Sequence, residues 1–317
     1  MIGFDIGGTK CAVCIGNRVG DRIEITDKRK IPTDLSRSPY EMLDALCRMA
    51  EEMTNDFSRI GISCGGPLDA ARGVILSPPN LPGWDEVRVT EYLHARYHGR
   101  VALENDANAC ALAEWKYGAG RGTENMIFLT FGTGMGAGLI LNGQLYRGAC
   151  GNAGEIGHVR MAPEGPIGYG KAGSFEGFVS GAGIARLARA LAEERLQTGA
   201  GTAYCRTREE LPLITAEHVA TAAKAGDPTA LAVYRTCGEM LGAGLALLVD
   251  VLNPEVIVIG SIYTRAGELL REGMERVLQR EALPDSLRAV KILPAALGEH
   301  LGDYAALAVA VAAGETF

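Results

Sequence analysis

Apolar and polar positions along this chain carry two periodicities in turn. Ile2-Gly3-Phe4-Asp5-Ile6 is a short apolar run that breaks at Gly7-Gly8-Thr9-Lys10 and resumes through Ile15. A strand, a tight glycine turn and a second strand satisfy that spelling. A further strand is expected around Ile23 to Ile25. Met42, Leu46, Met49 and Met53 recur at helical spacing and predict a helix over Tyr40 to Phe57. Ile60 to Ser63 is a buried strand entering the turn Gly65-Gly66-Pro67, and a proline-rich loop, Ser77 to Trp84, follows. A helix is expected over Thr90 to Tyr97, a strand over Val101 to Leu103, and a helix from Asp106, which Asn105 or Asp106 is placed to cap.

The pattern then repeats. Ile127 to Phe131 is apolar, Gly132-Thr133-Gly134 breaks it, and Met135 to Leu141 resumes it before the two-residue turn Asn142-Gly143. Helices are predicted around Ile184 to Leu191, Thr215 to Lys224 and Pro228 to Leu252. Val256 to Ile259 reads as a strand ending at Gly260-Ser261, and Ala266 to Leu278 and Tyr304 to Ala313 as closing helices. Strands alternating with helices argue for an α/β fold. Gly118 and Gly120 mark the boundary between the two copies, so that residues 1–117 form one lobe and 118–302 the other.

Composition narrows the classes. With 317 residues, 47% hydrophobic and 22% charged, the chain can bury a large core. A net charge of -7 offers no polyanion-binding surface, so neither nucleic acid nor membrane is expected as a partner. No apolar run reaches the ~18 residues of a membrane span; Met240 to Val249 is interrupted by Gly242 and Gly244 and reads as a buried helix. The start lacks a signal peptide's basic region and cleavage site, and a cytoplasmic location is expected. The 8 cysteines are scattered and read as reduced core residues. Cys11 and Cys14 spell C-x-x-C, but on a strand that spacing sends them to opposite faces.

Two glycine hairpins can present backbone N–H groups to phosphate oxygens. Glu104-Asn105-Asp106 lies between them in sequence, and a carboxylate there can take a proton from a hydroxyl. Together these features read as phosphoryl transfer from a nucleotide to an alcohol.

These residues resemble the ROK family of sugar kinases and repressors, within the actin/hexokinase/Hsp70 ATPase superfamily. Asp5-Ile6-Gly7-Gly8-Thr9-Lys10 is similar to its first phosphate loop, Glu104-Asn105-Asp106 to its catalytic segment, and Thr130 to Gly138 to its second phosphate loop. Glu155-Ile156-Gly157-His158 matches its E-x-x-H sugar element, and Glu176 falls at a further sugar-binding carboxylate. The resemblance implies a duplicated, actin-like (ribonuclease H-like) α/β fold of two lobes with a cleft between them, the last helix, 303–317, joining the first lobe. Asp106 is then the general base. Gly65, Gly66, Asn80, Asn105, Asp106, Glu155, His158 and Glu176 hold the sugar. Asp5, Gly7, Gly8, Thr9, Lys10, Gly132, Thr133, Gly134, Gly260 and Ser261 hold the nucleotide, Lys10 only as loop surface or weak electrostatic support. Asp5 faces Mg²⁺ through water.

Two departures from the family pattern stand out. Many members carry a C-x-C-G-x-x-G-C segment that binds a structural zinc together with the His of E-x-x-H. Here Ile167, Tyr169 and Ser174 stand at the cysteine positions, so no zinc is expected, and packing around Tyr169 and Phe175 is expected to order the loop instead. Gly260-Ser261 replaces a frequent Gly-Gly, with little effect expected. The resemblance implies an ATP- and Mg²⁺-dependent hexose 6-kinase, glucose first, with N-acetylmannosamine or N-acetylglucosamine as alternatives, and a homodimer. A sugar-responsive repressor is disfavoured because the first glycine loop begins at Gly3, ahead of which the family's repressors place a DNA-binding module. A sugar-sensing protein without catalysis is disfavoured by the presence of Asp5 and Asp106.

Overall fold

The structure is a computed structural model describing residues 1–314; the last three positions of the expected 303–317 segment lie outside the described residues. The chain divides into two compact units. One comprises Met1–Phe128, Gly138–Ala153 and the chain from Ala296 on; the other comprises Leu129–Ala137 and Gly154–Ala295.

In chain order the first elements are β1 (Ile2–Ile6), β2 (Lys10–Val19), β3 (Arg22–Pro32), α1 (Pro39–Met53), β4 (Arg59–Cys64), the short pair β5 (Leu68–Asp69) and β6 (Val74–Ile75), α2 (Val89–Tyr97), β7 (Arg100–Asn105) and α3 (Asp106–Tyr117). There follow β8 (Met126–Phe131), β9 (Met135–Leu141), β10 (Gln144–Tyr146), β11 (Ile167–Gly168), β12 (Lys171–Ala172), α4 (Phe175–Phe178), α5 (Gly181–Gln197), α6 (Ala216–Lys224) and α7 (Pro228–Leu252). The chain continues with β13 (Val256–Ile259), α8 (Ile262–Glu281), α9 (Pro284–Ala289), β14 (Lys291–Pro294) and α10 (Leu301–Ala312).

One five-stranded sheet has the order β3-β2-β1-β4-β7, and a second has the order β10-β9-β8-β13-β14. In the first, β1, β4 and β7 run parallel while β2 and β3 fold back antiparallel. One face packs on α1 and α2 through Phe4, Val13, Met42, Leu46, Ile62 and Leu93. The other packs on α10 through Cys14, Ala306 and Leu307. Cys11 and Cys14 therefore do point to opposite faces, into different clusters. Helix α10 comes close because Gly3 and Gly61 are register partners on β1 and β4. A Cβ on Gly61 would stand 2.1 Å from the Ala306 carbonyl and 2.2 Å from the Ala310 nitrogen.

Sequence signals act locally where they were strong. Ser38 and Glu41 form a reciprocal capping box on α1. Asn142 and Gly143 both take positive φ, as a two-residue hairpin turn requires. Helix α1 stops at Met53 rather than Phe57, whose ring instead stacks on Tyr97 at 4.0 Å. Helix α8 starts before the expected Ala266, which itself breaks helical geometry. Strand β14 was not anticipated, because Lys291–Pro294 is too short and mixed to show alternation. Six cysteines are buried, but Cys110 is only partly so and Cys150 is exposed, against the expectation of core residues throughout. Helix α7 is long and apolar enough by composition to span a membrane, yet 61% of its most apolar window is buried within the protein. Gly238 and Gly242 let it approach the backbone of α8 at Leu270 and Met274.

Candidate active site

In the first unit, the candidate residues gather at the carboxyl ends of three parallel strands. Register places Ile6 beside Cys64 and Cys64 beside Asn105, so the turns after β1 and β4 and the start of α3 share one edge. Open α/β sheets present ligand sites at such edges. Asn105 settles the capping question: its side chain accepts from the Ala107 N–H at 2.9 Å as the N-cap of α3. Asp106 is then the first helical residue and is exposed. Its Oδ1 accepts from Ala107 N at 2.8 Å, and its Oδ2 lies 4.0 Å from where a Cβ on Gly65 would stand. A Cβ on Gly66 would stand 3.2 Å from Asn105 Nδ2, and one on Gly8 would overlap the Asn80 backbone at 2.2 Å. The first glycine turn, the Gly65-Gly66 turn, Asn80, Asn105 and Asp106 are thus one cluster. The Gly66-Pro67 bond is cis. Thr9 and Lys10 are exposed at the turn.

Glu104, in the same segment, has the opposite role. It is 2% exposed and accepts from Arg147 Nε at 2.8 Å, Arg147 Nη2 at 2.7 Å and Asn108 Nδ2 at 3.0 Å. Satisfied on this many sides, it anchors the strand-to-helix corner that presents Asp106.

Asp5 sits in a crowd of carboxylates. Burial, then the charges of Asp303 and Asp106, push its carboxyl up from 3.8 to about 6, with Lys10 and Lys28 opposing. Asp303 is 2% exposed and pairs with Lys28 at 2.6 Å. Asp303 is a residue the sequence did not flag: it comes from α10, hundreds of positions from Asp5, and no local spelling connects them. Hard oxygen donors such as the Asp5 carboxylate suit Mg²⁺. Among the described residues no three His, Cys, Asp or Glu side chains form a metal cage.

In the second unit, the glycine turn and the sugar-element residues form their own cluster. Glu176 Oε2 accepts from Met135 N at 3.1 Å and lies 2.7 Å from where a Cβ on Gly134 would stand. A Cβ on Gly157 would meet both the Met135 carbonyl at 2.1 Å and the Glu176 Cβ at 3.3 Å. Glu155 and His158 flank Gly157 on a single helical turn and are exposed. Burial and the neighbouring Glu176 charge push the Glu155 carboxyl up, with His158 opposing. Gly132 accepts from Gly181 N at 2.7 Å, joining the glycine turn to the N-terminus of α5. A Cβ on Gly132 would lie 3.9 Å from Ser261 Oγ.

Two expectations need correction here. Ser261 is not a neutral replacement for glycine: it holds φ 53 and ψ -102, a conformation that favours glycine. Tyr169 does not pack into the loop's core. It is 71% exposed and stands in a T-shaped pair with the His158 ring at 6.0 Å, whereas Phe175 is fully buried as expected.

The ROK family model matches residues 1–312. The chain belongs to the ROK family. It is 33% identical over 312 residues to a glucokinase of Streptomyces coelicolor, covering 95% of this chain and 94% of that one. It is 35% identical over 189 residues to an N-acetylmannosamine kinase of Escherichia coli, 59% of this chain and 64% of that one. Its structure superposes on that of a ROK glucokinase from Streptomyces griseus in complex with glucose and AMPPNP with a TM-score of 0.78, 30% identity, and coverage of 100% and 99% of the two chains. The α/β architecture is the two-lobe, actin-like ATPase fold of ROK kinases, and similarity to sugar kinases extends over nearly the whole chain.

Proposed function

We propose that this protein is an ATP- and Mg²⁺-dependent hexose kinase of the ROK family that phosphorylates the 6-hydroxyl, with glucose as its substrate. The observation that carries this reading is Asp106: an exposed carboxylate on the first residue of α3, beside the Gly65-Gly66 turn and in the electrostatic reach of Asp5. A sugar hydroxyl is a weak nucleophile. Asp106 accepts its proton as the new O–P bond forms and the bond between the γ-phosphorus and the β–γ bridging oxygen breaks, releasing ADP. General-base action of this kind contributes about 10²–10⁴-fold.

Asn80, Asn105, Glu155, His158 and Glu176 supply the paired donors and acceptors a sugar demands, and backbone groups at Gly65 and Gly66 allow close approach. The N–H groups of Gly7, Gly8, Thr9, Gly132, Thr133 and Gly134 take the phosphates, and Gly260 and Ser261 take the adenosine. Asp5 would hold Mg²⁺ through water, where the ion would supply positive charge against the transferring phosphoryl group. Glucose is favoured by the glucokinase relative and by the resemblance of Pro79-Asn80-Leu81-Pro82-Gly83-Trp84 to the corresponding loop of ROK glucokinases. The N-acetylmannosamine kinase relative supports the second reading, an N-acetylhexosamine substrate. A homodimer working in the cytoplasm completes the proposal.

The test is a coupled ADP-release assay with Mg²⁺-ATP across hexoses and N-acetylhexosamines, on the wild type and Asp106→Asn. One sugar with a dominant kcat/KM names the substrate. Asp106→Asn is expected to bind that sugar while losing at least about 10²-fold in kcat; an unchanged kcat removes Asp106 from the mechanism.

A further inference from the structure

The zinc that many ROK members carry does not match the residues present. An aliphatic side chain, a phenol and a hydroxyl stand at Ile167, Tyr169 and Ser174, where the family has thiolates, and a tetrahedral zinc needs about four N or S ligands. His158 would be the one remaining ligand. Yet this segment, which carries Glu176 and packs against the Glu155–His158 turn, is tightly bonded.

Ser174 is the centre of those bonds. It is 0% exposed. Its hydroxyl donates to the Gly168 carbonyl at 3.2 Å and accepts from the Gly177 N–H at 3.1 Å. One hydroxyl thereby closes β11 onto the N-terminus of α4, the same closure that a metal shared by positions 167, 169 and 174 would impose. As N-cap of α4, Ser174 also fixes the turn that aims Glu176 at Met135 N. Lys171 makes the remaining link: its Nζ donates to the His158 carbonyl at 2.8 Å, reaching the residue that would have been the fourth zinc ligand. Arg160 Nη1 donates to the Ala172 carbonyl at 2.6 Å, and backbone bonds Phe175 N to Val159 O and Met161 N to Gly173 O, both 2.8 Å, tie residues 159–161 to residues 172–175.

We infer that Ser174 and Lys171 are positioning residues that replace the structural zinc, fixing Glu176 and His158 by a metal-independent clamp. Ser174 supplies the buried closure and Lys171 the tether to the E-x-x-H turn. The ordering of the segment stands by itself; its consequence for sugar affinity rests on the kinase reading above.

The experiment joins elemental analysis with amide hydrogen exchange over residues 158–178, in wild type, Ser174→Ala, Lys171→Met and Lys171→Arg, before and after dialysis against EDTA. Expected are far less than one zinc per wild-type chain, exchange protection that EDTA leaves intact, faster exchange in Ser174→Ala and Lys171→Met, and wild-type protection in Lys171→Arg. Lys171 is partly exposed, so its variants report even if Ser174→Ala fails to fold. With the preferred sugar, Lys171→Met is expected to raise KM about three- to tenfold, the worth of one lost hydrogen bond, with kcat within about twofold. Stoichiometric zinc whose removal loosens the segment overturns the inference, as does wild-type exchange in both Ser174→Ala and Lys171→Met. If no sugar is turned over by the wild type, the kinase reading fails, while zinc content and exchange still decide the clamp.

Discussion

Asp5→Asn should make the metal-free protein more stable while disabling it. A carboxyl held at about 6 in the folded chain against a reference value of 3.8 costs the fold up to ~3 kcal/mol when ionised. Asp5 is only partly buried by exposure, so solvent returns part of that cost and a net gain of about 1–2 kcal/mol is expected from the neutral amide. The sign follows from linkage. Because the folded value is the higher one, the native state holds its proton more tightly than the unfolded chain. The penalty is absent below about pH 4, grows as pH rises towards 6, and is fully present at pH 7.5. Thermal melts in EDTA at pH 7.5 should therefore show Asp5→Asn roughly 1.5–3 °C above wild type, with the gap closing by pH 4. Turnover with Mg²⁺-ATP should fall sharply in the same variant. A destabilised Asp5→Asn at pH 7.5, or a gain that does not change with pH, would refute the argument that burial and the charges of Asp303 and Asp106 oppose an ionised Asp5.

Two further substitutions test the packing and the backbone. Gly61→Ala forces a methyl group into the backbone of α10 near Ala306 and Ala310, and backbone cannot swing aside as a side chain can, so a loss of at least about 3 kcal/mol is expected in denaturant unfolding. Ser261→Gly relieves a conformation that L side chains rarely adopt and should stabilise by about 1 kcal/mol, read as a higher Tm; a lower Tm would mean that the contact from Arg265 to Ser261 Oγ at 3.1 Å outweighs the strain.

Much of the candidate site was legible in the sequence because it is built from short, contiguous spellings. A glycine turn after an apolar strand declares itself, since few other residues allow backbone to approach a phosphate or a neighbouring loop. Asn105-Asp106 declares itself as the start of a helix because amide and carboxylate side chains satisfy the free N–H groups of a first turn. The opposing fates of Cys11 and Cys14 followed from strand periodicity alone. The same locality explains the errors at Phe57 and Ala266, where helical periodicity ran on but ring stacking or a kink took over.

What the sequence by itself determined is the order of the longer elements, the two glycine turns and the identity of the carboxylates. Each is set by the preferences of a few neighbouring residues. Only tertiary structure decided which of those carboxylates are buried, paired or exposed. Glu104 and Asp106 stand two positions apart, yet one is enclosed by Arg147 and Asn108 and the other faces solvent. Asp303 comes to Asp5 across the length of the chain, and the Ser174 hydroxyl finds the Gly168 carbonyl and the Gly177 N–H through the folding of its loop. Charge, desolvation and hydrogen-bond partners depend on distance in space, and distance in space is fixed by the packing of the whole sheet and its helices rather than by neighbours along the chain.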